Sequence, residues 1–422
     1  MCSASSGVAT SDPTLKVLVV SQYFWPETFR VNEVVSELTA RGHEVTVLTG
    51  RPNYPEGELL PEFAASPSRF SSYAGADILR VPLRPRGKGS FKLLLNYWSF
   101  VFWGCLSGPW LLRGRRFDAI FVFETSPITS ALPAIVLKWI KRAPLSMWVL
   151  DLWPDTLKAV GMVKSDRALK AVGLLCRFIY RRCDLILGQS RAFAEPISRW
   201  EGSAQRFRYF PQWSEEVFDA NEKAPEPAPE LEPHRGRFNL LFAGNIGDAQ
   251  DFPTLLAAAT LTRDRPDIHW LIVGDGRAAP QVRQDIARLG LTETVFMLGR
   301  YPVERMPSFF AGADALLVSL KAEPIFAMTI PGKVQSYLAA GKPLLGMLDG
   351  EGARVIQESG AGLVAPSGDA QALAEQAKAL ANLSAEERAH MGARGQRFGA
   401  THFKRSALMS QLEVWLANPA AP

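Results

Sequence analysis

Histidine and cysteine are scarce in this chain of 422 residues, which has five of the first and four of the second. Cys2, Cys105, Cys176 and Cys183 show neither the paired spacing of a zinc site nor the density of a disulfide scaffold, so they read as reduced thiols of a cytoplasmic protein. The dispersed histidines offer no base-rich triad, and His43 and His269, at the starts of strand-like runs, read as structural. Acidic charge is missing from one long stretch. No Asp or Glu occurs between Asp77 and Asp118, while Arg80, Arg84, Arg86, Lys88, Lys92, Arg113, Arg115 and Arg116 fall there. Such a block seeks an anionic surface. A net charge of +5 does not by itself imply nucleic acid. Residues 1–14 lack both the basic and the apolar region of a secretory signal and are expected to be a disordered start.

Apolar residues are plentiful, at 47% of the chain, and the length exceeds what one ordinary core accommodates. KVLVVSQYF (16–24), a helical pattern over 31–42 and HEVTVLTG (43–50) form a βαβ unit, which implies a parallel sheet. DAIFVFE (118–124), LSMWVLD (145–151) and CDLILGQS (183–190) extend it. At 222–236, EKAPEPAPELEPHRG replaces the apolar pattern with alternating Pro and Glu and reads as a linker or extended surface loop. Strands and helices then resume with FNLLFAGNIG (238–247), HWLIVGDG (269–276), VFMLG (295–299) and ALLVSL (315–320). The expected layout is an acceptor-binding domain over 15–221, the linker, a second α/β domain over 237–400, and a helix within 401–422 that packs back on the first domain. Two doubly wound domains would turn the carboxyl edges of their sheets to a shared cleft.

FAGNIG (242–247) and VGDG (273–276) place Gly244, Gly247, Gly274 and Gly276 at strand-to-helix turns, where backbone N–H groups can approach an anion. IPGKVQSYLAAGKPLL (330–345) adds a third turn. Pro331 suits the first helical position, Gly332 allows close approach, and Lys333 in a first turn is electrostatically unfavourable unless an anion is bound. A diphosphate would meet that need; a solvated lysine is the plainer alternative.

These motifs, with SQYFWPETFRVNEV, TGRPNYPEG and LDLWPD, resemble glycosyltransferase family 4, and within it the bacterial branch of colanic acid and O-antigen synthesis that includes L-fucosamine transferases. The resemblance implies a GT-B fold of two Rossmann-like domains. It implies retaining, metal-independent sugar transfer from a nucleotide diphosphate sugar, UDP-linked by expectation, to a polyprenyl diphosphate-linked acceptor. No cofactor and no metal are expected. Gly244, Asn245 and Gly247 would flank the diphosphate, Lys333 would neutralise the leaving group, and Gln250, Gly274, Gly276 and Gly332 would line the donor site. Asp151 would touch the transferred sugar, and Glu27, Arg30, Trp153 and Asp155 would serve the acceptor, although Asp155 equally suits a helix N-cap.

The chain also departs from that pattern. The family's paired glutamates, separated by seven residues, fall on Met328 and Ser336, so neither carboxylate is present. Glu323 is the nearby substitute, and Ser336 stays in the expected donor site. Gln250 and Asp251 stand where relatives carry a lysine, which leaves phosphate neutralisation to Lys333 and an unidentified arginine. A sugar-nucleotide 2-epimerase and a non-catalytic sugar-nucleotide binder remain open alternatives.

LLLNYWSFVFWGCLSGPWLL (93–112) has the length of a membrane span, but Asn96, Ser99, Ser107 and Gly108-Pro109 weaken it. It reads as an interfacial patch, with Trp98, Phe102, Trp103 and Trp110 at the lipid boundary and Arg113 reaching anionic headgroups; a buried helical pair is the alternative. The expected location is the inner face of the cytoplasmic membrane.

Overall fold

The computed structural model describes residues 14–421 except 88, 160, 164, 203 and 219–224. The expectation for the amino terminus therefore lies, save Thr14, outside the described residues. The chain forms two compact units. Unit 1 comprises Met1–Gly188, Glu195–Arg208 and Met409–Pro422; unit 2 comprises Gln189–Ala194 and Tyr209–Leu408.

In unit 1 the described strands are β1 (Lys16–Val20), β2 (Glu44–Thr49), β3 (Ser72–Tyr73), β4 (Ala76–Arg80), β5 (Ala119–Glu124), β6 (Leu145–Val149), β7 (Leu185–Gly188) and β8 (Phe207–Tyr209). They line up as β3-β4-β2-β1-β5-β6-β7-β8, and only the β3–β4 pair is antiparallel among the registered pairs. Val17 to Val20 are buried on both faces, as a central parallel strand requires. The order reverses between β1 and β5, which puts the ends of those strands at the switch point where open α/β sheets bind ligands.

Residues 93–111 belong to one helix, Ser90–Leu111, with Pro109 in its last turn and Leu112 as its C-cap. Tyr97, Phe100 and Val101 are buried, and the buried Asn96 carboxamide accepts from Gln22 (2.7 Å) and donates to the Arg84 carbonyl (2.6 Å). Phe91, Leu94, Trp98, Phe102, Leu106 and Trp110 recur at three- and four-residue spacing and are exposed, Trp110 at 72%. Among the described residues no helix is long and apolar enough to cross a membrane.

In unit 2, β9 (Phe238–Ala243), β10 (Ile268–Val273), β11 (Val295–Gly299), β12 (Ala315–Ser319), β13 (Leu344–Met347) and β14 (Gly362–Ala365) form a parallel sheet in the order β11-β10-β9-β12-β13-β14. Its switch point lies between β9 and β12. Two apolar clusters fill its faces, one around Phe242, Leu256 and Trp270, the other around Leu241, Phe310 and Leu338.

Three boundaries differ from expectation. The main stretch of unit 2 begins at Tyr209 rather than near residue 237, because Tyr209 and Phe218 pack on its core and Phe218 stacks on Phe310 at 5.3 Å. The described part of the Pro/Glu-rich segment is not an extended loop: Pro229–His234 is a 3-10 turn whose Leu231 and His234 are buried, and the Ala228 N–H donates to the Ser308 carbonyl (2.9 Å). Ala228, Leu231 and His234 anchor a run that is otherwise mostly polar. The last helix starts at Arg405 and ends at Ala417, and its Glu413 accepts from Arg41 (2.7 Å) and faces His43 Nε2 (2.8 Å) within unit 1.

Candidate functional site

In unit 2 the ends of β9 and β10 are the first two glycine turns foreseen from sequence, and the end of β11 adds Gly299. They lock onto one another by backbone bonds: the Gly244 N–H donates to the Val273 carbonyl (2.8 Å) and the Gly274 N–H to the Gly299 carbonyl (2.7 Å). The Gly247 N–H donates to Gln250 Oε1 (3.1 Å) and the Gly276 N–H to Asp275 Oδ1 (2.8 Å). The N–H groups of these four glycines therefore each have an acceptor within the protein.

The glycines instead create proximity. A Cβ on Gly274 would stand 1.9 Å from the Gly244 carbonyl oxygen, and one on Gly276 2.3 Å from the Ile246 carbonyl. A Cβ on Gly244, at φ 136°, would stand 2.6 Å from Lys333 Cε. Gly244 therefore leaves the space that the lysine occupies. Gly247 and Gln250 brace the turn and are not among the residues around the pocket.

That pocket has a volume of about 520 Å³, and Gly244, Asn245, Gly274, Gly276, Lys333 and Ser336 all line it. Tyr301, Val303, Met306 and Phe310 give it an apolar wall, and Arg300 joins it from the turn after β11. Arg300 is a candidate for the arginine that sequence reasoning left unidentified; its only signal is its place after the VFMLG run.

Lys333 lies in the first turn of the helix Gly332–Ala339, whose N-cap is Pro331, one position earlier than expected. No side chain caps that helix start. Gly332 has open space where a Cβ would be, so no close approach requires it. The Lys333 side chain folds inward: Nζ is shut from solvent, has no hydrogen-bond partner, and sits 3.5 Å from the centre of the Phe242 ring. Burial lowers its pKa from 10.5 to about 7. A buried ammonium without a hydrogen-bond partner is costly unless a counter-charge meets it.

Ser336, where the family resemblance leads one to look for a glutamate, is buried. Its hydroxyl donates to the Glu215 carboxylate and lies 3.1 Å from the Gly332 carbonyl. A carboxylate thus does reach this position, from the segment that follows β8. Sequence reading missed Glu215 because nothing local marks it. Glu323 is exposed and not among the residues lining the pocket.

In unit 1, Asp151 follows β6 and accepts from Trp153 Nε1 (3.2 Å); burial raises its carboxyl pKa. The neighbouring Glu124, at the end of β5, is fully buried with both carboxyl oxygens unpartnered, and burial raises its pKa well above the usual range. Asp155 opens the short helix Asp155–Ala159 as its first residue rather than as a cap before it. Trp153 is buried. Glu27 is also buried and accepts from the backbone N–H groups of Asn53 (2.7 Å), Tyr54 (2.7 Å) and Phe24 (3.2 Å), so its oxygens brace two loops rather than face an acceptor. Arg30 is paired with Glu33 at 3.0 Å. Among the described residues no three His, Cys, Asp or Glu side chains form a metal-ligand cluster.

Comparison with known proteins places both units. Residues 28–213 match the family model of a glycosyl transferase 4-like domain, and residues 237–382 match that of the glycosyl transferases group 1. WcaI of Escherichia coli (strain K12), provisionally assigned as a colanic acid biosynthesis glycosyl transferase, is 26% identical over 78% of this chain and 82% of its own. WbjE of Pseudomonas aeruginosa, provisionally assigned as a glycosyltransferase, is 26% identical over 62% of this chain and 66% of its own. HepE of Anabaena, solved with UDP and glucose, shares the fold at a TM-score of 0.65 with 15% identity, covering 96% of this chain and 100% of its own. WaaG, a glycosyltransferase involved in lipopolysaccharide biosynthesis, does so at 0.61 with 15% identity, 96% and 100%.

Proposed function

We propose that this chain, a glycosyltransferase of the GT-B type related to those of colanic acid and O-antigen synthesis, moves a sugar from a UDP-linked donor to a lipid-linked saccharide, with retention and without a bound metal. An N-acetylated amino sugar is the candidate group. The observation that carries the reading is Lys333: a buried, unpartnered ammonium in the pocket at the carboxyl ends of β9, β10 and β11. A diphosphate supplies the missing counter-charge, and the complex of HepE with UDP and glucose supports that ligand class.

The chemistry asks chiefly for charge stabilisation at the leaving diphosphate, which Lys333 provides from a site that excludes water. Arg300 adds positive charge at the same pocket. The acceptor hydroxyl attacks the anomeric carbon on the face from which the diphosphate departs. The C–O bond to phosphate breaks, and the departing phosphate oxygen takes the hydroxyl proton. Asp151, with its carboxyl held by Trp153, orients the transferred sugar.

The exposed aromatic face of Ser90–Leu111, followed by Arg113, Arg115 and Arg116, supports peripheral attachment to an anionic membrane on the cytoplasmic side, where a polyprenyl diphosphate acceptor resides. The test is incubation with a panel of UDP-sugars and a polyprenyl diphosphate-linked sugar, with and without chelator. A glycosidic product of retained configuration supports the proposal. An epimerised nucleotide, or binding without turnover, overturns it in favour of an isomerase or a binding protein.

A further inference from the structure

At the carboxyl edge of the unit 1 sheet one guanidinium stands among tyrosines with no acid to meet it. Arg86 lies in the loop between β4 and the helix Ser90–Leu111, and three bonds fix that loop. Its own backbone N–H donates to Asn53 Oδ1 (2.9 Å), the Gly87 N–H to the Gly57 carbonyl (2.9 Å), and Asn96 Nδ2 to the Arg84 carbonyl (2.6 Å). Arg86 is half-buried, with its guanidinium 5.5 Å from the centre of the exposed Tyr54 ring. Its charge also reaches Tyr23 and Tyr97, whose pKa values burial raises and Arg86 opposes. Lys92 is the second cation. Its stem lies against Gly87, where a Cβ would stand 2.7 Å from Lys92 Cδ. Among the described residues no carboxylate forms an ion pair with Arg86 or Lys92, and the loop acid Glu27 already accepts from three backbone N–H groups.

Two neighbours of opposite character adjoin this pair of cations. Tyr97 packs toward Trp153 (ring centroids 6.4 Å), whose Nε1 donates to Asp151 (3.2 Å). Beside Lys92 begins the exposed apolar stripe of the helix, with Phe91, Leu94 and Trp98. A saccharide joined through a diphosphate to a polyprenyl chain has the same order of chemistry: hydroxyls, anion, hydrocarbon. A diphosphate carries more charge than one cation offsets, and a planar guanidinium meets phosphate oxygens in pairs. We propose that Arg86, with Lys92 beside it, binds the diphosphate of the lipid-linked acceptor, so that the saccharide points to Asp151 and the first isoprene units lie on Phe91, Leu94 and Trp98. The inference rests on the acceptor class proposed above and names the residues that read it.

The experiment titrates farnesyl diphosphate and uncharged farnesol by calorimetry into the full-length protein saturated with UDP, which fills the Lys333 pocket. The wild type should bind the diphosphate about tenfold or more tighter than farnesol, and Arg86→Met should lose about tenfold, the range for hydrogen bonds to a charged group. Arg86→Lys and Lys92→Met should lose less, and UDP affinity should stay constant throughout. Undiminished affinity for farnesyl diphosphate in Arg86→Met overturns the assignment and leaves the acceptor class standing. Failure of the UDP-saturated wild type to prefer farnesyl diphosphate to farnesol overturns the acceptor class and this inference together, without touching the nucleotide reading. Bilayer headgroups carry the same phosphate chemistry, and flotation with phosphatidylglycerol vesicles separates the two sources. Arg86→Met should float as the wild type does; a parallel loss of flotation and of farnesyl diphosphate binding overturns the assignment in favour of headgroups. Lys92 is exposed, so Lys92→Met tests the site even where an Arg86 variant does not fold, and unchanged affinity there overturns the paired-cation site.

Discussion

Raising the pH should discharge Lys333 and weaken donor binding. With the folded pKa depressed from 10.5 to about 7, burial disfavours the charged form by about 5 kcal/mol at about 1.4 kcal/mol per tenfold change. A bound diphosphate restores the charge. At about pH 8 only about a tenth of the free protein carries the Lys333 proton, so binding a UDP-sugar should take up about 0.9 proton, against about 0.5 at pH 7. A UDP-sugar suits the assay because its diphosphate diester does not titrate over this range. Calorimetry in two buffers of different ionisation enthalpy gives the proton count directly. Affinity should fall by about tenfold per pH unit above 7 until the raised pKa of the complex is passed. Lys333→Met should bind weakly, with no proton uptake and a flat profile. Proton-free binding by the wild type, or the same pH slope in Lys333→Met, would refute the assignment. Stability supplies an independent check. The folded pKa lies below the unfolded one, so the folded state binds fewer protons between about 7 and 10.5 and gains stability as pH rises through that window. Lys333→Met should therefore raise the melting temperature below pH 7 and change it little near pH 10.

Glu124 has the opposite sign. Burial raises its folded pKa well above 4.5, so its contribution to stability is full below the unfolded pKa and is lost as pH rises through the folded one; Glu124→Gln should gain about 1–3 kcal/mol at neutral pH, read from melting curves across pH. Gly274→Ala drives a Cβ to 1.9 Å from a backbone oxygen and should cost about 3 kcal/mol or more, whereas Gly332→Ala, with open space at the Cβ, should leave denaturant midpoints unchanged or slightly raised. Replacing Trp98, Trp103 and Arg113 together should release the protein from vesicles containing anionic lipid in a flotation assay, and salt should weaken wild-type binding. Wild-type protein that never floats with such vesicles would dismiss the patch.

Much of the architecture was legible because its signals are local. Val17–Val20, Ala119–Glu124 and Leu240–Ala243 are short apolar runs bounded by turns, and buried parallel strands leave that pattern. β3 is not legible, since a two-residue strand carries no periodicity, and in β4 the charged Asp77 and Arg80 interrupt the apolar run. The Pro/Glu run reads as a linker because its composition is polar, while its packing is decided by the few residues it buries, Ala228, Leu231 and His234. Lys333 was recognised from a conflict, a cation at a helix start with no acid beside it. Glu27 is not legible, because a polar loop residue looks the same in sequence whether it meets a substrate or three backbone N–H groups.

The sequence by itself determined two doubly wound α/β domains, the glycine turns and the position of the lysine, since each depends on residues close together in the chain. Tertiary structure alone decided what those residues do. The Gly244 and Gly274 N–H groups are spent on neighbouring strand ends and those of Gly247 and Gly276 on side chains of their own turns, while Lys333 Nζ is left without a hydrogen-bond partner. Glu215 reaches Ser336 across 121 positions, a juxtaposition made by the packing of the segment after β8 on the second core. Side-chain pairing over such separations is set by how packed elements meet, which periodicity and spacing do not encode.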